Sequence, residues 1–208
     1  MSVELWLVRH GETEWSLDGR HTSWTDIQLT EHGRKRAEEL RDYLKDVKFA
    51  AVLVSPRQRA LETCRIAGFG DVAVVDDGLQ EWNYGESEGK TTAEMRAKYG
   101  PEWSVWSSEI VGGESVEQVG ARADGVIARA VDADEEPTSQ NRDVGHPDTR
   151  RVALFAHAHI LRILAARWIG LPAVDGSKFA LGTGSVSVLG YERETRVISR
   201  WNRSFEGE

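Results

Sequence analysis

Three short apolar runs, residues 5–8 (LWLV), 51–54 (AVLV) and 152–156 (VALFA), constrain this chain more than any other feature. None alternates apolar with polar residues, so each needs apolar cover on both faces, as strands between two layers of helices do. They are expected to be central parallel strands. Helical patterns fill the intervals. Thr30 precedes a stripe of Ala37, Leu40 and Leu44, and Ser115 with Gln118 makes a capping box before Val116, Val119, Ala123, Val126 and Ile127. A further stripe, Leu161, Leu164, Ala165 and Trp168, stops at Gly170 with Pro172 just beyond. Strand alternating with helix predicts an α/β fold, layered α/β/α around a mostly parallel sheet. Residues 185–189 and 196–201, separated by the polar stretch 191–195, are expected to form a hairpin at one sheet edge.

With 208 residues, 40% of them hydrophobic and 29% charged, the chain can bury one substantial core, which predicts a single domain over 1–208. Residues 134–150 are polar, contain two prolines and a glycine, and are expected to form a mobile surface loop. There is no internal repeat or low-complexity tract. No apolar run approaches the roughly 18 residues of a membrane span, and Arg9 interrupts the first apolar segment too early for a secretory signal. A cytoplasmic location away from membranes is the expectation. A single cysteine, Cys64, allows no internal disulfide and has no structural-zinc spacing. A net charge of -8 without a basic stripe argues against nucleic acid as a partner. In so acidic a chain, a local gathering of arginine and histidine needs a reason.

Such a gathering lies where ligands bind in open α/β sheets, beyond the carboxyl ends of the strands. Arg9, His10, Gly11 and Glu12 follow the first run; Ser55, Arg57 and Arg59 follow the second; His157 and His159 follow the third. Any one of these could be a turn residue, a solvated side chain or a helix cap. Three strand ends delivering cationic or cation-capable groups together suit a multiply charged oxyanion, and phosphate is the natural candidate. A metal held by His10, His157 and His159 is disfavoured, because nearby arginines oppose a cation and no carboxylate cluster accompanies them. The absence of a glycine-rich loop ending in lysine and Ser/Thr argues against a nucleotide triphosphatase. A neutral imidazole is a competent nucleophile toward phosphorus, and His10 beside Arg9 fits that role. The leaving alkoxide then needs a proton donor. The segment LQEWNYGESEG at 79–89 supplies Glu81, Glu86 and Glu88, and the residues alone do not choose among them.

LVRHGETEW at 7–15 resembles the signature of the histidine phosphatase superfamily, the phosphoglycerate mutase-like family. The resemblance continues through GRHTSWTDIQLTEHG at 19–33, SPRQRALET at 55–63, LQEWNYGESEG, and FAHAHILR at 155–162. It implies that His10 is the phosphorylated histidine, with Arg9 and Arg59 binding the phosphoryl group and Arg57 an accessory. It also implies that Glu81 is the proton donor, that His157 contacts the phosphoryl group, and that Thr22 and Ser23 face the substrate. Ser16 stands where the family commonly has asparagine, and Ala158 where it has glycine. A serine hydroxyl still hydrogen-bonds and an alanine keeps its backbone N–H, so both positions are expected to help bind substrate. The segment pattern is most similar to sugar-phosphate phosphatases, including sedoheptulose bisphosphatase-like members.

The expected activity is therefore a metal-independent, cofactor-free phosphomonoesterase acting on a small phosphorylated metabolite. A cofactor-dependent mutase and a non-catalytic phosphate-binding module are the alternatives. An exposed edge strand would permit a homodimer, which nothing in the sequence demands.

Overall fold

The computed structural model describes residues 2–132 and 149–205. In chain order the strands are β1 (Ser2–Arg9), β2 (Ala51–Val54), β3 (Ala73–Val75), β4 (Thr149–Ala156), β5 (Val186–Glu192) and β6 (Thr195–Arg203). The helices are α1 (Glu14–Leu17), α2 (Glu31–Leu44), α3 (Gln58–Ile66), α4 (Thr92–Tyr99), α5 (Val116–Asp132) and α6 (Ala158–Trp168). One sheet runs β3-β2-β4-β1-β5-β6. Its first four strands are mutually parallel, while β5 and β6 form the expected antiparallel hairpin at the far edge.

The continuous apolar runs are explained by cover on both faces. Leu5 and Leu7 of β1, with Val152 and Leu154 of β4, face the core that includes Val119 and Val126 of α5 and Leu161 and Leu164 of α6. Trp6, Val8, Ala153 and Phe155 face the opposite core, built with Leu40 and Leu44 of α2 and Ala60 and Cys64 of α3. Thr30 caps α2, accepting from Gly33 N at 2.9 Å. Ser115 and Gln118 form the expected box, with Gln118 Oε1 accepting from Ser115 N at 2.8 Å and Ser115 Oγ from Gln118 N at 3.3 Å.

Three elements escape sequence periodicity. Strand β3 has three residues, too few to show a period, and α1 buries none of its four. Helix α4 buries only Met95, so it shows no apolar stripe despite a complete Thr91/Glu94 capping box. Of the loop expected at 134–150, residues 134–148 lie outside the described residues. Thr149 and Arg150 instead begin β4, paired with Ser2 and Val3 of β1, so the strand starts earlier than its apolar run. Backbone pairing, which is blind to side-chain polarity, extends it. Among the described residues, no helix is long and apolar enough to cross a membrane.

The segment leaving β1 is fixed by close backbone approach. A Cβ on Gly11 would lie 2.5 Å from Gly33 O, and one on Gly33 2.3 Å from Glu12 O. Gly11 N also donates to Thr63 Oγ at 3.0 Å, tying the same turn to α3. Gly33→Ala is expected to destabilise the protein by about 1–3 kcal/mol, because backbone cannot yield as a side-chain end does. Urea denaturation checks this, and an unchanged midpoint would count against the contact.

Candidate active site

The carboxyl ends of β1, β2 and β4 are held in one row by continuing backbone bonds. His10 N donates to Ala156 O at 3.0 Å, and Ser55 N to Phe155 O at 2.9 Å. The cleft beyond them, of about 320 Å³, is lined by Arg9, His10, Glu81 and Ala158 together with residues of the 13–22 segment. Its size suits a small metabolite. A second hollow of about 380 Å³ lies beside β3, lined mainly by apolar groups with Asp76, Asp77 and Arg129. Arg129 there is already paired with Asp76 at 2.8 Å, so that hollow offers no comparable convergence of polar groups.

His10 is 6% exposed, and its Nδ1–H donates to Gly11 O at 2.7 Å. Burial, reinforced by the Arg59 and Arg9 charges, holds its pKa well below the ordinary value. The ring is therefore neutral, with its proton on Nδ1 and a free lone pair on Nε2. Arg9 donates from Nη1 to Leu181 O, while its buried Nε has no hydrogen-bond partner among the described residues. Burial lowers its pKa to about 10, which leaves it cationic at neutral pH.

Glu81 is 5% exposed and sits against the N-terminus of α6. Its Oε1 accepts from Trp82 N at 3.0 Å and Ile160 N at 2.9 Å, and its Oε2 accepts from His159 N at 3.0 Å. A carboxylate offers about four acceptor positions, so Oε1 is filled and Oε2 retains one. Glu86 is exposed and bonded to Lys98 and Tyr99. Glu88 is spent on the backbone, accepting from Ser23 N at 2.9 Å and Thr25 N at 3.1 Å. Of the three acids left open by the residues alone, Glu81 is the one that lines the cleft.

Arg59 and His157 are fully buried and face each other. Arg59 Nε donates to His157 Nδ1 at 3.1 Å, so neutral His157 carries its proton on Nε2 and donates to Ser55 Oγ at 2.7 Å. Burial, then Arg59, lowers the His157 pKa well below the ordinary value. Arg59 further donates from Nη1 to Thr25 O at 3.1 Å, and from Nη2 to Thr22 O at 3.1 Å and Ser23 O at 3.2 Å. The expected direct contacts to a phosphoryl group are thus largely occupied here: both His157 nitrogens are engaged and Arg59 keeps a single N–H. The two side chains brace the cleft from behind.

The remaining expected residues divide. Thr22, Ser16 and Ala158 line the cleft. Ser16 Oγ is committed to the turn, accepting from Thr13 N at 2.9 Å and donating to Thr13 O at 2.8 Å. Ser23, 2% exposed, lies behind the wall with its hydroxyl toward Glu81 O at 3.5 Å, which differs from the expected substrate-facing position. Arg57 turns outward onto the Trp24 ring at 4.6 Å and bonds Trp24 O and Gln80.

Sequence reading missed His21 and Arg162 on the cleft wall, which Tyr84 and Trp106 also line, and assigned no role to His159. His159 Nδ1 shares a 2.6 Å hydrogen bond with Tyr84 OH, and burial depresses its pKa. Helical spacing could have placed Arg162 near His159, since residues three apart share a face. Among the described residues, no group of three or more His, Cys, Asp or Glu could hold a metal ion.

A doubly covered α/β sheet whose strand ends place Arg9 and His10 in one cleft, with Arg59 and His157 packed behind it, defines an α/β protein with a candidate oxyanion site. Known proteins narrow the class. The chain belongs to the histidine phosphatase superfamily (branch 1), whose family model matches residues 5–204. It is 39% identical to an acid phosphatase of Mycobacterium tuberculosis over 94% of this chain and 90% of that protein. It is 33% identical to sedoheptulose 1,7-bisphosphatase of Saccharomyces cerevisiae over 79% of this chain and 67% of that one. A 2,3-bisphosphoglycerate-dependent phosphoglycerate mutase of Mesorhizobium japonicum is 32% identical, over 96% of this chain and 98% of the other. The solved structure of a Mycobacterium tuberculosis open reading frame superimposes with a TM-score of 0.84 at 37% identity, covering 97% of each chain.

Buried neutral His10, His157 and His159 also set the acid stability. Each folded-state pKa lies below the value of about 6.5 expected unfolded, so the unfolded chain takes up protons that the folded one refuses. Their stabilising contribution is complete above about pH 6.5 and is lost as pH falls toward the folded-state values. The Tm measured by calorimetry is expected to drop between about pH 6.5 and about pH 5, above the range where carboxylates protonate. A Tm that stays flat across that interval would contradict this account.

Proposed function

We propose that this protein is a metal-independent phosphomonoesterase that hydrolyses small phosphorylated metabolites, sugar phosphates foremost, through a phosphohistidine on His10. The observation that carries the reading is the His10 ring itself: neutral, with Nδ1–H fixed on Gly11 O, Nε2 unprotonated, and Arg9 alongside. Phosphatase relatives that match most of the chain support the same activity.

The chemistry follows from the atoms. His10 Nε2 attacks phosphorus, the N–P bond forms and the P–O bond to the leaving group breaks. A proton from Glu81 Oε2 neutralises the departing alkoxide. Water then attacks the phosphohistidine while Glu81 takes back a proton, which releases inorganic phosphate and restores His10. Arg9, whose guanidinium lines the cleft, and the Arg59 charge just behind it stabilise charge on the equatorial oxygens. The Ala158 N–H at the start of α6 adds a further donor. His157 holds Arg59 in place, Ser16 and Thr22 shape the wall next to the substrate, and Ser23 supports them from behind. The arginines oppose a bound cation, so turnover requires no metal.

Mutase relatives across nearly the whole chain keep one second reading alive, return of the phosphoryl group to another hydroxyl of the substrate. Release of inorganic phosphate from sugar phosphates and p-nitrophenyl phosphate in EDTA separates the readings. Wild type is expected to turn over, and His10→Ala to lose at least about 1,000-fold with the nucleophile gone. A requirement for bisphosphoglycerate priming with no phosphate release would favour the mutase, and turnover abolished by EDTA would sink metal independence. Glu81→Gln is expected to slow sugar phosphates by about 100-fold or more while affecting the aryl ester much less, since p-nitrophenolate needs little protonation. Equal losses on both would remove Glu81 as the donor to the leaving group.

A further inference from the structure

Arg162 stands out among the cleft-lining cations. It projects from α6 into the cleft that holds His10, five residues beyond His157. Its Nε donates to Gly176 O at 3.0 Å and its Nη2 to Ser177 O at 3.0 Å, which pins the guanidinium to the turn after α6. The guanidinium carbon also lies 4.7 Å from the centre of the Trp106 ring, so its plane is backed by an indole. Nη1 has no acceptor among the described residues. Arg20, the other outlying cation, differs: it is paired with Asp18 at 3.3 Å, approaches Glu94 at 3.9 Å and is bonded to Gly89 O. Arg162 has no carboxylate partner within 4 Å among the described residues.

Two anchored nitrogens, an aromatic backing and one unspent nitrogen at the cleft wall make a preorganised half-site for an anion. The transferred phosphoryl group already has Arg9, Arg59 and the α6 N-terminus. We infer that Arg162 is a specificity-determining residue that binds a second anionic group, phosphate or carboxylate, on the far end of the substrate. The inference rests on the proposed phosphatase activity and names its substrate class: small metabolites with an anion at both ends. A cleft of about 320 Å³ is of a size for such small metabolites.

Arg162→Met tests it, keeping apolar contact with Trp106 while removing the charge, with Arg162→Lys as a second variant that retains charge. The readout is the ratio of kcat/KM for fructose 1,6-bisphosphate or 3-phosphoglycerate to kcat/KM for glucose 6-phosphate, so any general loss of folding or rate cancels. Wild type should prefer the doubly anionic compounds. Arg162→Met should lower the ratio about 10- to 100-fold, the worth of a hydrogen bond to a charged group, and Arg162→Lys should lower it less. A fall for the bisphosphate alone assigns the subsite to phosphate, and a fall for phosphoglycerate alone assigns it to carboxylate. An unchanged ratio, from equal losses or none, overturns the inference. Equilibrium binding of the same three compounds to His10→Ala and to His10→Ala/Arg162→Met separates this from failure of the phosphatase reading. A binding preference that disappears with Arg162 upholds the subsite even without hydrolysis, and equal affinities in both proteins refute it.

Discussion

A fully buried guanidinium is the constraint on which the cleft depends. Desolvating a cation costs several kcal/mol unless its donors are satisfied, and Arg59 has no carboxylate within salt-bridge distance among the described residues. It is compensated by oriented dipoles instead: the carbonyls of Thr22, Ser23 and Thr25, and the lone pair of His157 Nδ1. Each partner is thereby fixed. The 22–25 segment cannot lift without stranding the charge, and His157 is held in the tautomer that donates to Ser55. The glutamate on the other side of the loop completes the clamp, since Glu88 takes the N–H groups of Ser23 and Thr25 whose carbonyls serve Arg59. Charge of one sign binds the carbonyls and charge of the other binds the amides of the same short segment.

The sheet supplies the complementary rigidity. Parallel pairing of β1, β4 and β2 lines up three carboxyl ends in register, and the first residue past each strand remains in the ladder or starts a helix. Helix α6 begins at that point with its amides exposed, and Glu81 arrives from a different part of the chain to take two of them. A carboxylate there favours the helix dipole and at the same time is immobilised beside His10's cleft. Stability of the helix start and placement of a candidate acid are one interaction.

How much of this could be read from the residues follows from which forces act locally. The three buried strands were legible because cover on both faces removes alternation. Helices α2, α5 and α6 were legible because they bury one stripe and carry caps. Convergence of Arg9, His10, Arg59 and His157 followed from strand ends alone, and the family resemblance selected Glu81 from three acids. What stayed hidden depends on long-range contact. Nothing in GRHTSW says that Ser23 turns inward, because that depends on Glu81 and Glu88 some sixty residues away. Nor does FAHAHILR reveal that both His157 nitrogens are occupied, or that Arg162 meets Trp106 across the cleft. Helix α4 and strand β3 bury too little to leave a pattern.

The cations and imidazoles of the cleft are not independent features. Arg9 and Arg59 both depress His10, adding to the larger effect of burial, so the groups suited to an oxyanion also keep the His10 ring unprotonated. An arriving phosphate dianion would offset the arginine charges and shift His10 the other way, toward protonation. The Gly11 carbonyl limits what that shift can do. It already accepts the Nδ1 proton, so a second proton would have to occupy Nε2, the nitrogen proposed to attack phosphorus. Burial, the largest cause of the depression, does not depend on the ligand and opposes that uptake throughout. A site that relied on arginine charge alone would lose its neutral imidazole on binding an anion. Placing His10 inside the protein, 6% exposed, removes that conflict.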